Sequence, residues 1–215
     1  MLLRLVVTAA LAFAACCARA EAAAGEHVAG RSPTILVLGD SLSAAYGIPA
    51  ERGWVALLQE RLRQRGYPHG VVNASVSGET TAGGLARLPA LLDRHRPQMV
   101  LIELGGNDGL RGLPLTELED NLRRAAVLCR DAGATPVLFE MRIPSNYGPT
   151  YTQGFQAAFT KVARALDVPL VPFFLADIAL DPDAFLDDGI HPSADAQPRM
   201  LDAAWPTIEA ALPAP

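Results

Sequence analysis

The residues best suited to chemistry stand at opposite ends of the chain. Gly39-Asp40-Ser41-Leu42-Ser43 closes an apolar run near the start, and Asp187-Asp188-Gly189-Ile190-His191-Pro192, near the end, sets a carboxylate three positions before an imidazole. That spacing lets the Asp188 and His191 side chains meet across one turn. Acyl transfer needs a hydroxyl, a base to take its proton, a carboxylate to hold the base in one tautomer, and donors for the developing oxyanion. Ser41 can be the nucleophile, His191 the base and then the acid, and Asp188 its partner. Donors come from two further polar clusters, Asn73-Ala74-Ser75-Val76-Ser77-Gly78-Glu79-Thr80 and Gly105-Gly106-Asn107-Asp108. Gly78 offers a backbone N–H with no side chain in the way, Asn107 a carboxamide, and Ser41 its own N–H.

Each piece alone has a plainer reading. Ser41 could cap a helix, Asp187 and Asp188 could form a solvated turn, His191 could be a turn residue ahead of Pro192, and the glycines could serve only positive φ. The conjunction is what points to a hydrolase. Other chemistries fit worse. The stretch Gly78 to Gly84 imitates a phosphate loop, but Gly84 occupies the lysine position. No Gly-x-Gly-x-x-Gly follows the first apolar run, and Ser43 replaces the second glycine of a Gly-x-Ser-x-Gly elbow. His27, His69, His95 and His191 lack ligand spacing, so no metal is expected, and no cofactor is needed.

These groups must be held by elements that the hydrophobic pattern outlines. Ile35 to Leu38 reads as a buried parallel strand, and a helix follows from about Gly53 to Arg65. The alternation continues with a strand at 70–76, helix at 81–94, strand at 99–104, helix at 117–131, strand at 135–141, helix at 151–166 and strand at 168–171. A helix at 195–212 ends it, with Pro198 and Pro206 expected to bend or shorten it. Strands alternating with helices predict a three-layer α/β/α domain around a parallel sheet of about five strands. All the polar clusters then fall at the carboxyl edge of that sheet, where open α/β folds bind ligands.

With 215 residues, half of them hydrophobic and 19% charged, the chain fits one domain. Residues 1–20, with Arg4, an apolar body and Ala18-Arg19-Ala20, read as a signal peptide cut after Ala20, which implies export to the periplasm or the medium. Cys16 stands where an acylated cysteine would tether the chain to a membrane, although Phe13 departs from that pattern. Residues 21–33 read as a flexible lead-in and 34–213 as the domain. Loss of Arg4 and Arg19 with the leader takes the net charge from −5 to −7, which argues against nucleic acid as a partner. A small-molecule substrate and a monomer are expected.

The four blocks Gly39-Asp40-Ser41-Leu42-Ser43, Gly78, Gly105-Gly106-Asn107-Asp108 and Asp188-Gly189-Ile190-His191 resemble, in order, those of the GDSL, or SGNH, hydrolases. The likeness is greater still to the family's bacterial periplasmic members with acyl-CoA thioesterase, lysophospholipase and arylesterase activity, and it extends through Gly83-Leu85-Ala86-Arg87-Leu88-Pro89 and the Arg142 to Gly148 loop. It implies a flavodoxin-like SGNH fold, a Ser41-His191-Asp188 triad, an oxyanion hole of Ser41, Gly78 and Asn107, Asp40 as a brace for the nucleophile's turn, and the segment from Gly109 to Leu113 as a mobile wall of the acyl groove. A carbohydrate O-acetyl esterase on the same scaffold, or a non-catalytic lipid- or glycan-binding domain, are the alternative readings.

Overall fold

The computed structural model describes residues 32–214; the signal peptide, most of the lead-in and Cys16 lie outside the described residues. The strands are β1 (Thr34–Gly39), β2 (Gly70–Asn73), β3 (Met99–Glu103), β4 (Thr135–Phe139) and β5 (Leu170–Val171). The helices are α1 (Trp54–Gln64), α2 (Thr81–His95), α3 (Gly106–Leu110), α4 (Leu115–Asp131), α5 (Pro149–Leu166) and α6 (Gln197–Ala211). All strand pairs are parallel, in the order β2-β1-β3-β4-β5. This is a doubly wound, flavodoxin-like α/β sheet, with its switch point at β1, where the strand order reverses.

The continuous apolar runs in β1 and β3 follow from burial on both faces. Ile35, Leu36, Val37 and Leu38 are fully enclosed, as are Val100 and Leu101 beside them. α1 packs against α6, while α2 packs against α4 and α4 against α5, so two groups of helices cover the two sides of the sheet.

Four strands are shorter than the apolar pattern predicts; β3 stops at Glu103 and β4 at Phe139. β2 stops at Asn73, although the Ala74 and Val76 amides still donate to the Val37 and Gly39 carbonyls. β5 is reduced to Leu170 and Val171. The prolines do less than expected: Pro198 falls in the first turn of α6, where its missing N–H is not needed, and Pro206 lies inside that helix without ending it. α2 likewise carries Pro89 in its interior.

Candidate active site

β1 ends at Gly39 beside Glu103, its register partner on β3. A side chain at Gly39 would meet Ser43 Oγ at 2.6 Å and Glu103 Oε2 at 2.8 Å, so the strand can turn here only with glycine. Asp40 then closes the turn on itself. Its Oδ1 accepts the Leu42 N–H at 3.0 Å, and its carbonyl accepts the Ala44 N–H at 2.9 Å. Ser41 is left at the carboxyl edge of the sheet.

The three residues expected to form a triad are brought together. His191 Nε2 lies 2.9 Å from Ser41 Oγ, and His191 Nδ1 lies 2.7 Å from Asp188 Oδ2. Asp188 Oδ1 also accepts the Ile190 and His191 amides, both at 2.9 Å. Hydrogen bonds to the His191 amide and ring, and then to the Ile190 amide, hold the Asp188 carboxyl down to about 2. The carboxylate is therefore ionised throughout the neutral range and fixes the imidazole with Nδ1 as the donor side. The loop that carries the pair is closed by the Leu186 amide on the His191 carbonyl at 2.8 Å and by a bridge between Phe185 and Pro192. Gln197 secures it from behind, donating to the Pro192 and Ser193 carbonyls and accepting the Trp54 amide.

The residues expected to supply oxyanion donors, Gly78 and Asn107, follow the two neighbouring strands, β2 and β3. Asn107 sits in the first turn of α3 and gives one N–H to Asp40 Oδ2 at 3.0 Å, which leaves its second N–H for a ligand. Gly78 has φ +78°, and Arg111 donates to its carbonyl at 2.8 Å. Among the described residues, neither the Ser41 nor the Gly78 amide meets an acceptor. Asp40 thus braces both the nucleophile's turn and Asn107. Burial pushes its carboxyl up to about 6 against the pull of those two hydrogen bonds.

Several contributors were not legible in the sequence. Glu103 is completely enclosed, accepts the Ser43 hydroxyl at 2.6 Å and the Asp40 amide at 3.4 Å, and has no partner for Oε1 among the described residues. Burial, and then the neighbouring Asp40 charge, drive its carboxyl well above the usual range. Trp54 Nε1 donates to Ser43 Oγ at 3.2 Å, which ties α1 to this cluster. Asp108 accepts the Thr81 amide at 2.9 Å and the Thr81 hydroxyl at 2.5 Å, so the helix that carries Asn107 also caps α2, the helix that follows Gly78. The one signal available for Glu103 was an acid ending an otherwise apolar strand. For Asp108 there was none, since its partner lies 27 positions earlier.

The cleft beside Ser41, Asn107 and His191 encloses about 360 Å³ and is walled by Leu110, Met141, Pro144, Leu175, Phe185 and Ile190. A depression of about 620 Å³ on the outer surface of α5, around Gln153, Thr160 and Lys161, shares none of these residues. Of the segment 109–113, expected as a mobile groove wall, Leu110 lines this cleft; the Leu110 carbonyl accepts the Tyr147 hydroxyl at 2.7 Å, and the Leu113 carbonyl accepts the Tyr151 hydroxyl at 2.7 Å. The arrangement can transfer an acyl group to a serine and then to water.

Residues 37–197 match the model of the GDSL-like lipase/acylhydrolase family. The chain is 50% identical over 179 residues to esterase TesA of Pseudomonas aeruginosa, covering 83% of this chain and 89% of that protein. It is 48% identical over 174 residues to thioesterase 1/protease 1/lysophospholipase L1 of Escherichia coli (81% and 82% covered), and 48% identical over 171 residues to the arylesterase of Vibrio mimicus (80% and 86% covered). A crystal structure of TesA superposes with a TM-score of 0.81 at 50% identity, covering 83% of this chain and 99% of that one.

Proposed function

This chain belongs to the GDSL-like lipase/acylhydrolase family, and from that premise we propose that it hydrolyses small-molecule carboxylic esters and thioesters through an acyl-enzyme on Ser41. The observation that carries the reading is the continuous pair of contacts, 2.9 Å from Ser41 Oγ to His191 Nε2 and 2.7 Å from His191 Nδ1 to Asp188.

Ser41 Oγ attacks the acyl carbon as its proton passes to His191 Nε2, and Asp188 stabilises the imidazolium. The oxyanion is received by the Ser41 and Gly78 amides and by the free N–H of Asn107. Collapse breaks the bond to the leaving alcohol or thiol, which takes the proton from His191. Water then attacks the acyl-serine while His191 removes its proton, and the second collapse returns that proton to Ser41 Oγ and releases the carboxylic acid. The mostly apolar wall from Leu110 to Ile190 favours an acyl chain over the hydroxyl-rich ring of an acetylated sugar.

Ser41→Ala should reduce turnover of a short-chain aryl ester by more than about 10⁴ while leaving the thermal transition in place; near-parental turnover would remove Ser41 from the mechanism. Asn107→Ala tests the donor separately and should cost about 10² to 10³ in kcat. A panel of acyl-CoA, lysophospholipid, aryl ester and acetylated sugar ranks the substrates, with the sugar expected last. We also propose, from the sequence of residues 1–20, that the chain is exported and cut after Ala20. N-terminal sequencing of the processed protein decides between that and acylation at Cys16.

A further inference from the structure

The turn that presents Ser41 continues in a conformation that simple presentation of a serine does not require. Ala45 is held at φ +58° and Gly47 at φ +75°, so the residue between them, Tyr46, is flanked by two left-handed positions. For alanine this conformation is unfavourable, and strained backbone of this kind persists where the surroundings impose it. The Tyr46 amide donates back to the Ser41 carbonyl at 3.2 Å. Gly47 approaches the loop that bears His191 so closely that a Cβ there would lie 2.5 Å from Leu186 Cδ1.

The outcome is that the Tyr46 ring lies on His191, with ring centroids 4.3 Å apart and planes 35° from parallel. Tyr46 does not earn this place as core, since 51% of its surface is exposed. The ring covers the imidazole that already has Ser41 on Nε2 and Asp188 on Nδ1.

We propose that Tyr46 is a positioning residue for the general base: its π-face holds the His191 ring against Ser41 and stabilises the imidazolium that forms as Ser41 is deprotonated. An aromatic face attracts a cation lying over it, and the effect grows as water is kept away. Asp188 is in contact with this imidazole, and Asp40 interacts with it through space. Tyr46 adds cation stabilisation without adding charge. The proposal rests on His191 being the base.

The test compares the parent with Tyr46→Phe and Tyr46→Leu, in kcat and KM across pH and in the NMR titration of the His191 ring. Leucine keeps apolar bulk and removes the π-face. Tyr46→Leu should lower kcat about two- to five-fold at neutral pH with KM little changed. The acid limb of its kcat/KM profile and the midpoint of the ring titration should both move to lower pH, by a few tenths of a unit or more. Tyr46→Phe, which keeps the ring, should reproduce the parent. A Tyr46→Leu profile and titration superimposable on the parent would overturn the proposal. So would a rise in KM alone, which would make Tyr46 a substrate contact, or a defect shared by Tyr46→Phe, which would assign the effect to the hydroxyl. His191→Ala separates the two levels: its retained activity would remove the base itself, whereas the ring titration reads the Tyr46 contact without any turnover.

Discussion

The two acids beneath Ser41 differ in ionisation from the acid that holds His191. Asp188 lies at the surface and is kept ionised by donors, whereas Asp40 and Glu103 are enclosed and resist ionisation. Each of the enclosed carboxyls holds a proton in the folded chain that the unfolded chain releases at lower pH. Their joint contribution to stability is therefore present at acid pH and is lost as pH rises from about 4, through about 6 for Asp40 and through the raised range of Glu103. Asp188 has the opposite sign: its contribution is present above its unfolded value and is lost as pH falls toward about 2. Glu103→Gln keeps the oxygen that accepts from Ser43 and Asp40, and puts an amide where Oε1 has no partner. Relative to the parent, its urea midpoint should decline less steeply as pH rises. Parallel midpoint curves would show that Glu103 does not titrate in this way.

At the scale of elements, Gly78 and Asn107, the proposed oxyanion donors, stand on different loops that must be kept in register. α3 has only five residues, too short to hold its orientation by its own hydrogen bonds. Asp108 anchors it by accepting the amide and hydroxyl of Thr81, whose Oγ1 also accepts from Asn121 on α4. The same contacts cap α2 and place a carboxylate at its positive end. Asp108→Ala should cost about 2 to 3 kcal/mol of stability, as expected for buried hydrogen bonds to a charged group, measured by urea unfolding. It should also lower kcat more than it raises KM, because Asn107 is adjacent on the same helix. An unchanged kcat in a destabilised protein would confine Asp108 to capping.

Among the described residues, the enclosed apolar core runs from Ile35 to Ile208, so a chain begun at Ser32, which keeps all of it, should unfold in a single cooperative urea transition and turn over substrate. A broad, non-cooperative transition would show that this core does not hold the domain by itself. The sequence by itself determined the layered α/β architecture, because continuous apolar strands and helices of 3.6 periodicity leave few other ways to bury their faces. It also singled out Ser41, Asp188, His191, Gly78 and Asn107 as candidates, because a hydroxyl, an imidazole with a nearby acid, and unobstructed donors are distinguishable by residue type and by their place after strands, and the fold brings Ser41, His191 and Asp188 into contact. Strand ends were less legible: residues 74–76 continue to bond to β1 after regular pairing stops, and alternation alone does not mark that point. Only the tertiary structure decided the rest. Glu103 reaches Ser43 across 60 positions, Asp108 reaches Thr81 across 27, and Ser41 meets its base across 150. Contacts made by packing between strands leave no periodic trace in the chain, and the tyrosine laid on His191 owes its place to two left-handed residues that Ser-Ala-Ala-Tyr-Gly does not announce.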